Sequence, residues 1–425
     1  MGRTSLIGLE EAKGRVRHLI RALPGEEVPL RAALFRVLSR GVRARVNSPT
    51  DDVSLKDGFA VRARDTLPAS PRKPVRFRIV GSRFAGSGFE TPRVRRGEAV
   101  RITSGAVLPR GSDAVVAGEH CRATAADIEV SAPVEAGQNV LPRGTDVRAA
   151  ASVGRKGDLL TPGRIGLLAA AGLDRVRVHR KPRVILAATG DEVVEPGRPL
   201  KPGQIYASNL FTLSAWLGVY GIETVCRVLP DRKDQIKREL LAELGSADAL
   251  MTTGGAWGSE RDLIVRVLQE LGWEKIFHRV RLGPGKAVGF GVLRGRPVFC
   301  LPGGPPSNEM AFLQIALPGI LRLAGWQGEP FPRVEARLTH PVKGREIDWT
   351  QVVRGTLSQD RQGLLWATPR KPASRLESMA VAECLIPVPE GTEGFEAGQS
   401  VDVQLLTPPG SPAFPKTKKA LLARP

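Results

Sequence analysis

The chain has 425 residues, of which 42% are apolar and 25% are charged. This composition is typical of globular proteins, and the length predicts two to four domains of roughly 100 to 150 residues each. The 63 Lys and Arg against 43 Asp and Glu give a net charge of +20, which favours polyanionic partners. The basic residues are dispersed and aromatic residues make up only 5%. We therefore interpret most of the excess charge as solvated surface and do not expect nucleic acid as a partner.

Cysteine spacing and hydropathy exclude several further classes of protein. The four cysteines are far apart and form no CxxC or Cys/His motif, so neither a zinc site nor a disulfide framework is predicted. The chain has no apolar run of about 18 residues, and its first residues lack the apolar segment of a secretory signal. We expect a cytoplasmic protein with no membrane association.

Helices and a β-rich insertion are predicted for the first 180 residues. Apolar residues at spacings of three and four predict a helix over about residues 7–22, and a second short helix is predicted around 28–38. Short apolar runs separated by Gly and Pro then predict strands, and a helical pattern returns at 164–171. The prediction is a discontinuous first domain with a β-rich domain inserted into it, at 1–45 plus 141–180 and at 46–140.

Strands and helices alternate between residues 181 and 328. Short, wholly apolar strands that alternate with helices predict a parallel sheet covered on both faces. Ligands of such sheets bind beyond the carboxyl ends of the strands, which points to the loops after Ala188, Thr252 and Cys300. The predicted order is strand, helix, strand, helix, strand, helix, over 184–188, 209–220, 224–228, 233–244, 249–252 and 261–271.

The pattern becomes β again after Phe331. Runs at 334–338, 350–357, 364–367, 380–387 and 401–405 predict a small C-terminal barrel or sandwich over 329–407. Residues 408–425 form a basic tail.

Glycine and acidic residues follow two of the predicted strands. Gly254 and Gly255 let the backbone approach a ligand, and the start of the following helix favours a phosphate or another oxyanion. An ordinary strand-to-helix turn explains them equally well. Asp191 and Glu192 are suitable ligands for Mg²⁺, although Asp191 in that position more commonly caps a turn or helix.

A rigid loop and a lysine complete the candidates in this half of the chain. Pro302, Gly303 and Pro305 belong to a Gly/Pro loop whose path is fixed by its prolines, and such loops can be purely structural. Lys286 lies among glycines that leave its ammonium free to reach an anion. It is not a Walker lysine, because its spacing is wrong and Ala287 follows it.

In chain order these segments resemble the molybdopterin molybdenumtransferase family, that is, the bacterial MoeA proteins and the E domain of gephyrin. One matching segment would be weak evidence, but eight in the same order are specific. The resemblance covers about residues 5 to 405. The matching segments are SLKDGFAVR (54–62), RITSGAVLPRGSDAVV (101–116), RGTD (143–146), RVILAATGDE (183–192), GQIYASN (203–209), the 253–262 loop, PGK (284–286) and LPGGP (301–305).

The resemblance implies a particular architecture and reaction. The implied fold is multidomain α/β plus β: a discontinuous linker domain, an inserted β-rich domain, a MogA-like three-layer α/β domain and a C-terminal β-barrel, assembled as a homodimer. The implied reaction inserts molybdenum from molybdate into adenylylated molybdopterin, with Mg²⁺-dependent release of AMP. Other proteins of cofactor biosynthesis or molybdoenzymes are further candidate partners.

The resemblance also assigns roles to individual residues. Glu192 and Asp262 are implied at the Mg²⁺ and pyrophosphate region, and Asp57 and Ser104 are implied to act from the partner subunit. Lys286 is implied to hold phosphate or molybdate. The other matching residues are Asp146 among the functional polar residues, and Gly190, Asp191, Ser208, Asn209, Gly254, Gly255, Pro302, Gly303, Pro305, Arg354 and Ser374 in ligand binding.

Several positions depart from the family pattern. Trp257 replaces a serine of the glycine loop, and Gly304 replaces an asparagine. Gly283 replaces a lysine before PGK, for which Arg281 is a candidate substitute. These departures leave an alternative open: a paralogue that binds or carries the pterin cofactor without catalysis, or that inserts tungsten.

Overall fold

The structure is a computed structural model that describes residues 6–86, 93–254, 263–370 and 374–407. These residues form two compact units. Unit 1 comprises the described residues of 1–26, 35–39 and 179–425, and unit 2 comprises those of 27–34 and 40–178. This division is coarser than the predicted domains, whose boundaries stay predictions.

The N-terminal part of the chain is mostly short strands. Its helices are α1 (Leu9–Leu19), α2 (Ala63–Thr66) and α3 (Pro162–Ala170). Its strands are β1 (Gly25–Pro29), β2 (Val42–Arg43), β3 (Val53–Ser54), β4 (Gly58–Val61), β5 (Val75–Arg83), β6 (Glu98–Ile102), β7 (Ala114–Ala117), β8 (Cys121–Ala123), β9 (Asp127–Val130), β10 (Val140–Leu141), β11 (Ser152–Gly154) and β12 (Arg175–His179).

The middle of the chain alternates strands and helices as predicted. Its strands are β13 (Arg183–Thr189), β14 (Val193–Val194), β15 (Ile205–Tyr206), β16 (Glu223–Leu229), β17 (Ala249–Thr253), β18 (Glu274–His278), β19 (Leu282–Gly283), β20 (Gly289–Leu293) and β21 (Arg296–Leu301). Its helices are α4 (Ser208–Val219), α5 (Lys233–Leu244), α6 (Leu263–Glu270), α7 (Pro305–Ala311) and α8 (Leu317–Leu323), with a π-helical turn, Phe312–Ala316, between the last two.

The C-terminal part is again β. Its strands are β22 (Arg333–Leu338), β23 (Val342–Lys343), β24 (Thr350–Gln359), β25 (Leu365–Pro369), β26 (Cys384–Val388), β27 (Gly394–Phe395) and β28 (Ser400–Leu405), with the helix α9 (Arg375–Ala380) before β26.

Unit 2 contains a six-stranded sheet in the order β7-β4-β6-β5-β9-β8. All its pairs are antiparallel except β5 with β6. Phe59, Phe77 and Ile128 are among the buried residues that form its core. The predicted β-rich character of this region is therefore confirmed.

A second six-stranded sheet, in the order β16-β13-β17-β21-β20-β18, forms the centre of unit 1. The first four strands are mutually parallel, and β20 and β18 add an antiparallel edge that the sequence pattern did not predict. Val184 and Leu186 of β13 pack on the face that α4 covers, whereas Ile185 and Ala187 pack on the face that α5 and α6 cover. Because both faces are covered, the domain has the predicted three layers.

The C-terminal strands close into a barrel. The sheet order β24-β25-β22-β28-β26 is completed by a direct pairing of β24 with β26, which makes a ring of five strands. Its interior is filled by residues such as Leu338, Ala367 and Val403, which are fully buried. Of the two alternatives that the strand pattern left open, the barrel is the correct one.

Helix α1 belongs to unit 1 and packs on parts of that unit that lie far from it in the sequence. Leu9, Ala12 and Val16 join the core of the α/β domain. Gly8 has no side chain to cap the helix, and the carboxylate of Glu390 accepts the Leu9 N–H at 3.0 Å instead. A Cβ at position 8 would lie 2.7 Å from that carboxylate, so glycine is needed for this cap.

Two predicted elements are wrong. Residues 28–38 do not form a helix: β1 ends at Pro29, and only the 3-10 turn Leu30–Ala32 follows. Pro29 restricts the residue before it to extended backbone, and Phe35, with φ of 55°, is incompatible with a continuing helix. The strand predicted at 380–387 begins only at Cys384, because helix α9 extends to Ala380. Ser374 caps this helix by accepting the Glu377 N–H at 3.3 Å.

No helix in the described ranges is long and apolar enough to cross a membrane.

Replacing Phe299 by alanine should destabilise unit 1 by about 3–5 kcal/mol, because the buried ring leaves a cavity. Phe299 is fully buried, and its ring centroid lies 4.9 Å from that of Phe290. Urea unfolding measures the change. Phe211→Ala is the matched control, since Phe211 is 58% exposed, and it should change the stability by less than about 0.5 kcal/mol. Equal effects of the two substitutions would contradict this account of the core.

Candidate active site

The carboxyl ends of the four parallel strands of unit 1 place polar loops side by side. In sheet order, β16, β13, β17 and β21 run into loops at 230–232, 190–192, 254 and 302–304. The apolar strand residues pack in the two cores, so polar groups at this edge come from the last residues of the strands, such as Thr189 and Thr253, and from these loops.

The loops after β13 and β16 form an acidic end. The carboxylate of Glu192 folds back over Gly190, where a Cβ would lie 2.5 Å from it. Gly190, with φ of 140°, is required for this close approach. Asp191 accepts the N–H of Asp231 at 3.1 Å, so it ties the two loops together and does not cap a helix.

Asp231 is a candidate that the sequence interpretation missed. Its pKa is raised by desolvation first, and then by the charges of Asp191 and Glu192. An aspartate soon after an apolar strand of a parallel sheet was the available signal, because that position lies at the same edge as Asp191 and Glu192.

A small cavity of about 80 Å³ lies in the middle of this edge. Asn209, near the start of α4, donates to Thr253 Oγ1 at 2.9 Å and to the carbonyl of Gly303 at 2.8 Å. These bonds join the loops after β17 and β21. A Cβ at Gly303 would lie 3.6 Å from the Cα of Gly254, so the two loops approach closely through glycine. Glu192, Ser208 and Pro305 also line this cavity.

The opposite end of the edge is basic. A cavity of about 450 Å³ is lined by Lys286, Pro302, Gly303 and Gly304, together with Arg345, Glu346 and Trp349 from the C-terminal part of the chain. The ammonium of Lys286 lies 5.2 Å from the centre of the Trp349 ring, a distance at which the ring attracts a cation. Gly303 lines both this cavity and the smaller one.

Arg354 lies in a buried ion pair and does not line the basic cavity. Its guanidinium is 2.6 Å from a carboxylate oxygen of Glu309, and the two side chains are 8% and 7% exposed. The other oxygen of Glu309 accepts the Trp216 indole N–H at 3.1 Å. Ser374 is exposed and caps α9. The ligand-binding roles of Arg354 and Ser374 stay predictions.

Arg281 is not the substitute for a lysine at position 283. Its guanidinium donates to the carbonyls of Leu6 and Asp348, both at 2.8 Å, and to Glu390 at 3.2 Å. It lines a separate cavity of about 660 Å³ at the start of α1, which contains none of the predicted site residues. This suggestion from the sequence was therefore wrong.

Unit 2 holds the remaining described candidates. Asp57 precedes β4, Ser104 follows β6, and the Ser104 N–H donates to the Asp57 carboxylate at 2.7 Å. Asp146 is exposed in the turn after β10, and its N–H donates to the Ser48 carbonyl at 3.0 Å. Asp57 and Ser104 thus lie together in unit 2, and their functional roles stay predictions. Gly255, Trp257 and Asp262 lie outside the described residues.

A sheet edge that presents carboxylates, then glycine-lined backbone, then a lysine suits phosphorylated or oxyanionic ligands. Three family models match the chain: "MoeA N-terminal region (domain I and II)" over residues 7–172, "Probable molybdopterin binding domain" over 185–322, and "MoeA C-terminal region (domain IV)" over 335–406. The chain belongs to the MoeA family of molybdopterin molybdenumtransferases.

Individual relatives agree with this assignment. The molybdopterin molybdenumtransferase of Bacillus subtilis is 32% identical, with 94% of each chain covered. That of Haemophilus influenzae is 30% identical, with 89% of this chain and 93% of the relative covered. A crystal structure of the molybdopterin biosynthesis MoeA protein from Pyrococcus horikoshii superposes with a TM-score of 0.81 at 27% identity and covers 94% of this chain and all of its own.

The predictions of family, fold class, transferase activity and a role in molybdenum cofactor biosynthesis are therefore confirmed. The non-catalytic paralogue is not favoured.

Replacing Asp231 by asparagine should raise the thermal unfolding midpoint at pH 7 in EDTA. The raised pKa means that folding favours the protonated carboxyl, so the charged form lowers stability above that pKa, and this loss disappears as the pH falls through it. The advantage of Asp231→Asn over the wild type should therefore shrink as the pH approaches 3.8, the ordinary pKa of the group. A lower midpoint at pH 7, or a difference that does not change with pH, would contradict the raised pKa of Asp231 in the folded protein.

Proposed function

We propose that this chain inserts molybdenum from molybdate into adenylylated molybdopterin and releases AMP. The observation that carries the proposal is the order of groups along one sheet edge: carboxylates at Asp191, Glu192 and Asp231, then the glycine backbone at 254 and 303, then Lys286. Carboxylates can hold Mg²⁺ for a phosphoanhydride, the glycine backbone lets phosphates approach, and a lysine binds a tetrahedral oxyanion. The distance between the acidic and basic ends keeps their charges from neutralising one another.

Mg²⁺ is the proposed cofactor at the acidic end. The described residues contain no group of three or more side chains arranged to hold a metal ion alone. Mg²⁺, however, prefers one or two carboxylates together with waters and substrate phosphates, and the exposed carboxylates of Asp191 and Glu192 fit that requirement. Glu192 would hold the ion, with Asp262 as its predicted partner. When bound, the ion would offset the charge of the pyrophosphate.

The residues of this chain have distinct tasks in the proposed reaction. The glycine backbone at 254 and 303 would let the phosphates lie close to the sheet edge, and Asn209 would hold the two loops in register through its bonds to Thr253 and Gly303. Lys286, oriented by Trp349, would bind the oxyanion of molybdate. Water would cleave the phosphoanhydride and release AMP, leaving the other phosphate on the pterin. The two dithiolene thiols would bind molybdenum in place of an oxo ligand, which would leave as water with their two protons.

We further propose that the enzyme works in the cytoplasm as a homodimer. The resemblance implies that the partner subunit's Asp57 and the partner subunit's Ser104 complete the site. The hydrogen bond between these two residues supports this by fixing the carboxylate in an exposed turn.

The central test is the substitution Glu192→Gln. It removes the charge but keeps the size of the side chain, and kcat/KM for AMP release in the presence of molybdate and Mg²⁺ should fall by about 100-fold or more. The measurement is AMP formed from adenylylated molybdopterin by the purified full-length chain.

Glu195→Gln is the matched control, because Glu195 is an exposed carboxylate three positions away that does not line the cavity. It should retain nearly full activity. A folded wild-type chain that binds the pterin without releasing AMP would contradict the proposed reaction, as would equal losses in the two variants.

A further inference from the structure

We infer that Arg345 is the second cation of the basic cavity and that, with Lys286, it sets the affinity for the oxyanion substrate. The inference rests on the proposed function and deepens it by naming a residue for which the sequence comparison assigned no role. Four observations support it: the charge balance of the cavity, the position of Gly283, the ion pair of Arg354, and the anchoring of the loop that carries Arg345.

The charge balance of the basic cavity depends on Arg345. The charged side chains that line it are Lys286, Arg345 and Glu346. Without Arg345, the charges of Lys286 and Glu346 would cancel. Throughout the ranges that the structure describes, neither Lys286 nor Arg345 has a carboxylate within 4.0 Å. Both cations therefore remain available for an anionic ligand.

Position 283 cannot supply the second cation. The resemblance places a lysine there, but Gly283 pairs with Gln351 across β19 and β24. A Cβ on residue 283 would lie 2.5 Å from the buried side-chain oxygen of Gln351. Residue 283 carries no charge in this chain, and a longer side chain there would require the Gln351 side chain to move, so the missing charge has to come from another element.

The positive charge of Arg354 is already matched by a carboxylate. Its guanidinium is already balanced by Glu309 at 2.6 Å in a buried setting. Releasing it toward an oxyanion would leave the buried carboxylate of Glu309 without a counter-charge, with the Trp216 indole N–H as its remaining donor, which is unfavourable. Arg281 is held by Leu6, Asp348 and Glu390, as described above.

The loop that carries Arg345 is anchored on both sides. The Gly344 N–H donates to the carbonyl of Glu393 at 2.7 Å, and the Trp349 N–H donates to the carbonyl of Glu346 at 3.1 Å. Trp349 is 7% exposed and lies over Lys286. The same loop thus orients one cation through its aromatic ring and presents the other.

Calorimetric titration of the purified full-length chain with sodium molybdate tests the inference. Arg345→Ala should raise the Kd about three- to tenfold, as expected for the loss of one charge-assisted contact at an exposed site. Glu346→Gln should lower the Kd, because it removes the opposing charge. Arg361→Ala removes one exposed arginine elsewhere in the C-terminal part and should leave the Kd unchanged. All three variants should unfold at the wild-type temperature.

The possible failures are distinguishable. In one outcome, Lys286→Ala raises the Kd, but Arg345→Ala gives the same Kd as the control Arg361→Ala. This result would overturn the inference and leave the proposed function standing. In another outcome, Arg345→Ala and Arg361→Ala raise the Kd equally. This would also overturn the inference, because the change in net charge alone would then explain the effect. A wild-type chain that binds no molybdate would overturn the inference and the proposed function together.

Discussion

Burial of both faces of one parallel sheet is the constraint on which the rest of unit 1 depends. Apolar side chains that alternate along β13 and β17 pack into two separate cores, so polar groups remain only at the strand ends and in the loops that follow. Because the strands are parallel, their carboxyl ends meet at a single edge, and the order of the strands becomes the order of the functional groups. The separation of acidic and basic ends is therefore a result of topology.

The barrel completes the basic end and is joined to the α/β domain by polar contacts. Glu309, in the helix after the Gly/Pro loop, pairs with Arg354 of β24, and Gln314 donates to Gln404 of β28 at 2.8 Å. A buried ion pair is a weak source of net stability, because desolvation opposes its attraction. The ion pair matters more for geometry than for stability. It holds α7, which follows the 302–304 loop, against β24, which begins directly after Trp349.

The elements of the α/β domain and the edge that carries the site were predictable, because short apolar strands alternating with helices allow few arrangements. Asp191, Glu192, Gly254 and Gly303 follow those strands directly and were placed correctly at one edge. The surroundings of Lys286 were not predictable in this way, because Arg345 and Trp349 reach it from about 60 positions later, in the C-terminal part of the chain. The spacing of apolar residues also gave no sign of the positive φ of 55° at Phe35, which is incompatible with the helix predicted at 28–38.

The cap that Glu390 provides for α1 links the order of synthesis to the order of folding. The two bonded residues are separated by 381 positions, so the first helix emerges from the ribosome long before its cap exists. Contacts of such long range form late, because a large loop must close first. Helix α1 can pack on the α/β core as soon as residues up to about 320 are made, but its N-terminal cap is completed only after the C-terminal strands have been synthesised.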